Sequence, residues 1–149
     1  MKNRLLIALF AFVGLIACKK HHFHSRYNYW QVNSDSFSSN NVDAGSSRMD
    51  LYFSGIANHS NRFQFTFPHA YFPRSGVYKV LVGVRTQYEV VTCSFEYKGR
   101  FYVPSPFSNT YITTYTENDK AKFVLPPTWF VYYNNVKDSV LIRGTFSEP

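Results

Sequence analysis

The sequence predicts an all-β protein built as a single antiparallel β-sandwich, with a small β-barrel as the alternative. Its 149 residues include 12 Tyr and 15 Phe but only 2 Met and 2 Trp, and this aromatic weight favours strands over helices. In residues 62–67 Phe alternates with polar residues, which predicts a strand with its aromatic rings on one face. Similar short runs recur between turn-forming residues, and no helical stripe is present in the sequence.

The candidate strands follow one another at the short, regular intervals expected of a sandwich. In chain order they cover residues 27–32, 49–57, 62–67, 77–84, 88–97, 100–103, 110–116, 122–125, 129–133 and 140–146. Pro68 ends the third strand, because proline has no N–H to donate to a ladder. The Ser- and Asn-rich stretch 34–47 is predicted to be a weak strand flanked by mobile loop.

Turn-forming residues separate these runs. They cluster at 33–36, 58–61, 75–76, 98–99, 117–120 and 134–135. Lys98 and Gly99 stand between two aromatic runs and predict a tight hairpin, although Lys is a poorer first turn residue than Asn or Asp. The sequence shows no internal repeat, and a chain of roughly 130 residues after its N-terminal segment suits one domain with one core.

The N-terminus has the pattern of an export signal. Lys2 and Arg4 precede an apolar run over residues 5–17. A helix over this run would span roughly 20 Å, which is short of the roughly 30 Å hydrocarbon core of a bilayer. An export signal is therefore preferred to a membrane-spanning helix.

The apolar run ends in LIAC at residues 15–18, which resembles the bacterial lipobox. In lipoproteins with this motif a diacylglycerol is attached to the cysteine sulfur, the chain is cut before the cysteine, and the new amine is usually acylated. The resemblance implies that residues 1–17 are a signal peptide and that Cys18 carries a covalent lipid with acyl chains such as palmitate. Residues 18–26 would then tether a domain spanning 27–149. The alternative is a plain secretory signal with an incidental cysteine.

Lys19 follows the position that the resemblance assigns to the lipid. In Gram-negative lipoproteins an aspartate at this position favours retention in the inner membrane, whereas other residues generally permit transfer to the outer membrane. The resemblance therefore implies a cell-envelope protein anchored in the outer membrane, facing either the periplasm or the cell surface.

Two short motifs also resemble small all-β lipoprotein domains of unknown function. Residues 75–78 (SGVY) are similar to a "G-x-Y" strand start, and residues 142–146 (IRGTF) are similar to a terminal "G-T-F" strand. This resemblance implies an all-β lipoprotein domain and brings no catalytic residues with it.

The charge of the chain limits its partners. Residues 18–149 carry 14 Lys and Arg against 9 Asp and Glu, a net charge of +5. These cations stand singly among aromatic residues instead of clustering on one face, so nucleic acid is not a predicted partner. The densest basic stretch, residues 19–22, lies beside the predicted lipid, where anionic headgroups are the expected partner.

Metal-binding patterns are weak. His21, His22 and His24 come closest to metal-ligand spacing, but they fall in the predicted tether without a nearby Cys, Asp or Glu. Residues 117–119 (END) could offer oxygens to a cation, although such a run more often forms a hairpin turn. The sequence therefore predicts no metal and no cofactor other than the covalent lipid on Cys18.

Catalytic patterns are similarly scarce, since no G-x-S-x-G motif is present. Cys93 falls on the apolar face of its strand and is predicted to be a buried, inert thiol. It also has no partner for an intramolecular disulfide if Cys18 is acylated. Glu89 and Glu96 are an odd number of residues apart on one strand, so they point to opposite faces and do not form a simple catalytic pair.

Aromatic residues on two late strands form the candidate ligand-binding set. Tyr111 and Tyr115 share one face of their strand, and Trp129 and Tyr133 share one face of another strand whose opposite face is also aromatic. One face of the second strand should fill the core, which leaves the other to be covered or exposed. An exposed set could stack on a sugar ring or receive a partner protein, and ordinary core and cross-strand packing is the alternative.

The sequence thus predicts a non-catalytic binding or structural module at the outer membrane, with a glycan or an envelope protein as its partner besides membrane lipid. The first alternative is a carbohydrate-binding module that uses Tyr111, Tyr115, Trp129 and Tyr133. In that case Trp129→Ala should weaken glycan retention without unfolding the domain. The second alternative is a hydrolase whose site is assembled from residues distant in sequence.

Overall fold

The all-β prediction is confirmed in a computed structural model that describes residues 28–47, 49–82 and 90–149. The predicted signal peptide, Cys18, the tether with its histidines, and Glu89 lie outside the described residues. The described residues contain no helix that is long and apolar enough to cross a membrane. Their strands are β1 (Asn28–Val32), β2 (Asp35–Ser39), β3 (Val42–Ser46), β4 (Leu51–Asn58), β5 (Asn61–Phe67), β6 (Gly76–Leu81), β7 (Val90–Tyr97), β8 (Arg100–Pro104), β9 (Tyr111–Glu117), β10 (Lys120–Tyr132) and β11 (Asn135–Ser147).

The strands form one continuous sheet that folds over itself. Their order is β2-β1-β11-β10-β9-β6-β7-β5-β4-β3, and β8 additionally pairs with β7 and β10. Aromatic rings of β1, β10 and β11 contact rings of β4 and β5, so the two halves of the sheet face each other across one core. The architecture is therefore a sandwich whose halves share strands.

Five of the strands form a closed ring of paired strands, which is a feature of the predicted barrel alternative. The pairs β6–β9, β9–β10, β10–β8 and β8–β7 are antiparallel, whereas the fifth pair, β6–β7, is parallel. A ring with an odd number of strands cannot be antiparallel at every contact. If strand direction alternates around the ring, the first and last strands run in the same direction and form a parallel pair. For that reason the predicted antiparallel sandwich contains one parallel pair, β6–β7.

Strand β10 pairs with two different strands along its length. Its beginning, 120–124, pairs with β9, and its end, 130–132, pairs with β8. The sequence predicts two strands here, 122–125 and 129–133, and between them stand Pro126 and Pro127, which lack N–H groups. The structure has one strand, since a shift in the register with β11 between Leu125 and Thr128 accommodates both prolines.

The stretch 34–47 contains two strands rather than the predicted weak strand with mobile loop. β2 pairs with β1 at one edge of the sheet, and β3 pairs with β4 at the other edge. At the corner between them the Ser39 hydroxyl donates to the carbonyl of Ile56 at 2.7 Å, and the Ile56 N–H donates to the carbonyl of Asn41 at 3.0 Å. Pairing with these neighbours overrides the low strand propensity of Ser and Asn.

Aromatic side chains fill the core, as the alternation in β5 predicts. The ring centroid of Phe146 lies 4.6 Å from that of Phe63 and 4.7 Å from that of Phe65, which joins β11 to β5. These distances are typical of stacked and edge-to-face pairs. The buried aromatic residues with almost no exposed surface are Trp30, Phe53, Phe63, Phe65, Phe67, Phe95, Phe123, Phe130 and Phe146.

Tight hairpins join several of the strands. Lys98 and Gly99 have φ angles of 52° and 75° and connect β7 to β8, so the predicted hairpin is confirmed. Asn118 and Asp119, with φ angles of 51° and 62°, connect β9 to β10, so this stretch forms a turn. Two successive residues with positive φ match the right-handed twist of paired strands.

Candidate functional site

Trp129 and Tyr133 lie on the outward face at the end of β10. Their exposed fractions are 53% and 71%, whereas Phe130 is completely buried. Of the two apolar faces of this strand, the one with Phe130 therefore fills the core, and the one with Trp129 faces outward. The exposure of Trp129 is the geometry that a stacking role requires.

Tyr111 and Tyr115 are also exposed and lie on β9, where they alternate with buried residues. Tyr115 is paired with Lys122 at the beginning of β10, whereas Trp129 and Tyr133 follow the proline irregularity near its end. The predicted set of four aromatic residues thus consists of one pair on β9 and a second pair at the end of β10.

Phe101 joins the second pair, and the sequence did not single it out. Val103 of β8 is paired with Val131 of β10, so the alternate residues Phe101 and Trp129 share the outward side of these strands with them. The N–H of Tyr133 donates to the carbonyl of Phe101 at 3.0 Å, and the Phe101 side chain is 48% exposed. Because β8 is apolar on both faces, its sequence alone could not tell which ring points outward.

These neighbouring side chains form a surface that we call the aromatic face. It spans β8 and β10 and comprises the exposed rings of Phe101, Trp129 and Tyr133, with Val103 and the buried Val131 between them.

The loop after β8 fixes the backbone under this face. The N–H of Ser105 donates to the carbonyl of Trp129 at 2.9 Å, and the hydroxyl of Ser108 donates to the same oxygen at 3.2 Å. Phe107, between these two serines, is almost completely exposed. Trp129 is therefore presented from a backbone that is hydrogen-bonded to its neighbours rather than from a free loop.

A second surface feature adjoins the aromatic face along β8. Ser54, Gln64 and Ser94 lie directly opposite one another on β4, β5 and β7, and Thr66 and Thr92 form the next row. Cavities of about 630 and 270 Å³ lie over these rows, and both are lined by Gln64 and Ser94. We call this surface the polar groove; its larger part has a volume typical of a ligand site.

Walls of the polar groove are apolar. Leu81 and Val103 line the larger cavity, and Ile56 and Phe101 line the smaller one. Phe101 and Val103 therefore belong to both the aromatic face and the polar groove, which makes the two surfaces continuous.

Charged residues near the hairpin turns serve to connect strands. The Tyr97 hydroxyl donates to the carboxylate of Asp35 at 2.7 Å, and Nζ of Lys98 lies 2.9 Å from the same carboxylate. These contacts, the Tyr97 hydrogen bond first, hold the pKa of Asp35 below its ordinary value. The pKa of Lys98 is raised by its hydrogen bonds with Tyr97 and Asp35.

Metal-ligating side chains do not cluster in the described residues. No group of three or more His, Cys, Asp or Glu in 28–47, 49–82 and 90–149 could hold a metal ion. Glu96 is paired with Arg62, and Glu117 lies 3.2 Å from Lys122. Cys93 is buried, as predicted, and burial raises the pKa of its thiol, so the nucleophilic thiolate is disfavoured.

Comparisons with known proteins add no relative. No family model matches the chain, and neither the curated proteins nor the solved structures give a match.

Proposed function

We propose that this chain is a bacterial envelope lipoprotein, anchored in the outer membrane by a lipid on Cys18, whose domain is a non-catalytic binding module. The observation that carries the binding role is the aromatic face. Its three rings are about half exposed or more and stand on two hydrogen-bonded strands. Exposed apolar surface is costly for a monomer, and its presence on a rigid scaffold is typical of an interaction site.

The place where the domain begins is compatible with this anchor. Asn28 starts β1 and lies ten residues after Cys18, a distance that an extended chain spans over at most about 35 Å. The N–H of Ser147 donates to Oδ1 of Asn28 at 3.0 Å, which fixes the start of the domain beside the end of β11. The aromatic face includes Tyr133, beyond the opposite end of the β10–β11 ladder. The described start of the domain and Tyr133 therefore lie at opposite ends of the β10–β11 ladder.

Replacing the lipidated cysteine tests the anchor. We expect Cys18→Ala to abolish metabolic labelling of the protein with a fatty-acid probe and to move it from the membrane fraction to the soluble fraction of lysed cells. Cys93→Ala is the matched control and should keep both the label and the membrane association. Membrane association and labelling that persist in Cys18→Ala would contradict the proposal.

Carbohydrate recognition is a second candidate function, and the exposure of Trp129 favours it. A planar indole on a strand can stack on the apolar face of a sugar ring. On β8 and at the end of β10 this candidate would use Phe101, Trp129 and Tyr133, whereas Tyr115 lies beside Lys122 at the beginning of β10.

Affinity electrophoresis tests this candidate. We expect Trp129→Ala to reduce retardation in a gel containing a neutral polysaccharide by about fivefold or more in apparent affinity, because one stacked ring is lost. Tyr115→Ala, an exposed ring outside the aromatic face, should migrate as the wild type does. Both variants should unfold at nearly the wild-type urea concentration. Unchanged retardation of Trp129→Ala would remove the carbohydrate role of this residue.

A further inference from the structure

We infer that the polar groove binds a neutral, linear oligosaccharide. This inference rests on the proposed binding function and names its ligand chemistry. The aromatic face supplies rings, but its side chains carry few hydrogen-bonding groups, the indole N–H of Trp129 and the hydroxyl of Tyr133. A larger set of such groups is found in the adjoining groove.

The floor of the groove is a grid of uncharged hydrogen-bonding side chains. Neighbouring strands stand about 4.8 Å apart and alternate residues of a strand about 6.7 Å apart, so Ser54, Gln64 and Ser94 cross the groove at regular intervals. Hydroxyl and amide groups both donate and accept, as sugar hydroxyls do. A ligand with hydroxyls along its whole length can therefore use the whole grid.

These side chains are available to a ligand. In the part of the chain that the structure describes, the side chains of Ser54, Gln64 and Ser94 make no hydrogen bond to another protein group. An apolar ligand would remove water from them without replacing its hydrogen bonds, which is costly. The floor thus selects a polar ligand.

The charge of the lining selects a neutral ligand over an anionic one. Among the described residues that line it, Arg62 is the only Lys or Arg, and it is paired with Glu96. The carboxylates of an acidic polysaccharide would therefore find no unpaired cation among these residues.

The wall of the groove also provides an aromatic ring on which a sugar could stack. Phe101 stands at the end of the row formed by Ile56, Arg62 and Glu96, so a ring lies beside the hydrogen-bonding grid. A pyranose has a CH-rich face and a rim of hydroxyls, and it can place the face on Phe101 while its rim reaches Ser94. A chain of such sugars would then run along the groove between β5 and β7.

Titration with defined sugars tests this inference. The mature, lipid-bearing protein is kept in a detergent without a sugar headgroup and titrated with linear hexasaccharides of glucose, mannose, xylose, galactose and N-acetylglucosamine, with hexagalacturonate as the anionic counterpart. We expect at least one neutral hexasaccharide to bind with a dissociation constant below the millimolar range and hexagalacturonate not to bind.

Variants assign that binding to the groove. Gln64→Leu and Ser94→Ala should each raise the dissociation constant of the hexasaccharide by about three- to tenfold, as expected for the loss of a hydrogen bond. Gln31→Leu, a change of the same chemistry on β1, is the matched control and should leave binding unchanged. Absence of binding by every neutral hexasaccharide at millimolar concentration would overturn the inference, as would wild-type binding by both groove variants.

The outcomes separate this inference from the proposed function. If Trp129→Ala weakens the binding of a hexasaccharide and the groove variants do not, the groove is not the binding site, and the proposal that the domain is a binding module stands. If Cys18→Ala remains lipid-labelled and membrane-bound, the anchor proposal fails whatever the groove binds.

Discussion

Gly144 lies where the packing of β11 leaves no room for a side chain. A Cβ built at Gly144 would lie 2.7 Å from Cζ of Phe146 and 2.8 Å from the carbonyl oxygen of Tyr29. The first atom belongs to a ring buried in the core, and the second to the backbone of the neighbouring strand β1. Moving the ring would disturb the contact between the two halves of the sheet, and moving the carbonyl would disturb the pairing of β1 with β11.

We expect Gly144→Ala to lower the free energy of unfolding by about 1–3 kcal/mol, because overpacking shifts the surrounding core. Urea unfolding followed by tryptophan fluorescence measures this change. Gly45→Ala is the matched control: a Cβ there meets nothing within 4 Å, and the change should fall within about 0.5 kcal/mol of the wild type. Equal stability of both variants would contradict the packing argument.

Alternation along a strand identifies the residues that share a face, but it does not always identify the face that is buried. The faces of Phe63 and Cys93 were predictable, because polar residues occupy much of the other side of their strands. Trp129 and Phe101 were different, since β8 and the end of β10 are apolar on both sides. For such a strand, the residues packed against it in space determine which face is buried, and those residues come from distant parts of the sequence.

Strand β2, which the sequence hardly supports, is joined to β7 by a side-chain link. Asp35 at its start accepts the hydrogen bond of Tyr97 and pairs with Lys98, whose ammonium also lies 4.6 Å from the centre of the Tyr97 ring. The link spans the two halves of the sheet at the hairpin turns. It adds an interaction that the Ser-rich sequence of the strand does not provide.

We expect Asp35→Asn to destabilise the protein at neutral pH and to have progressively less effect in acid. The pKa of Asp35 is lowered in the folded state, so its stabilising charge is present above the ordinary carboxyl pKa of about 3.9 and is lost as the pH falls through the folded-state value. Urea unfolding at pH 7, 4 and 3 measures the difference from the wild type. Asp43→Asn, an exposed change on β3, is the control. A difference for Asp35→Asn that is constant across this range would contradict the assignment.

Most strands were predictable from turn residues and from the alternation of apolar and polar residues. The strands that were predicted incorrectly have physical explanations. One weak strand was predicted within 34–47, where the structure has two, because both owe their form to pairing with β1 and β4 instead of to their own residues. One strand was divided in two because local reasoning treats Pro126 and Pro127 as an end. Each error arises where tertiary pairing outweighs local preference.

The whole molecule has an architecture whose class, but not whose strand order, could be read from the sequence. Aromatic composition and strand spacing indicate a sandwich or barrel, and the structure combines features of both through the ring of β6, β7, β8, β9 and β10. Strand order depends on contacts between residues far apart in the chain, which no local pattern encodes. The polar groove was missed for the same reason, since Ser54, Gln64 and Ser94 meet only once three strands are paired.

The pairing of β1 with β11 sets when the domain can be completed. In the described sheet, β1 has β2 and β11 as its partners, and nine strands lie between β1 and β11 along the chain. A growing chain that emerges from the ribosome N-terminus first therefore cannot finish this sheet before β11 has been synthesised. Under the export proposed for this chain the delay would be useful, because a polypeptide that is still unfolded can be threaded through a translocation channel and then close its sheet on the far side.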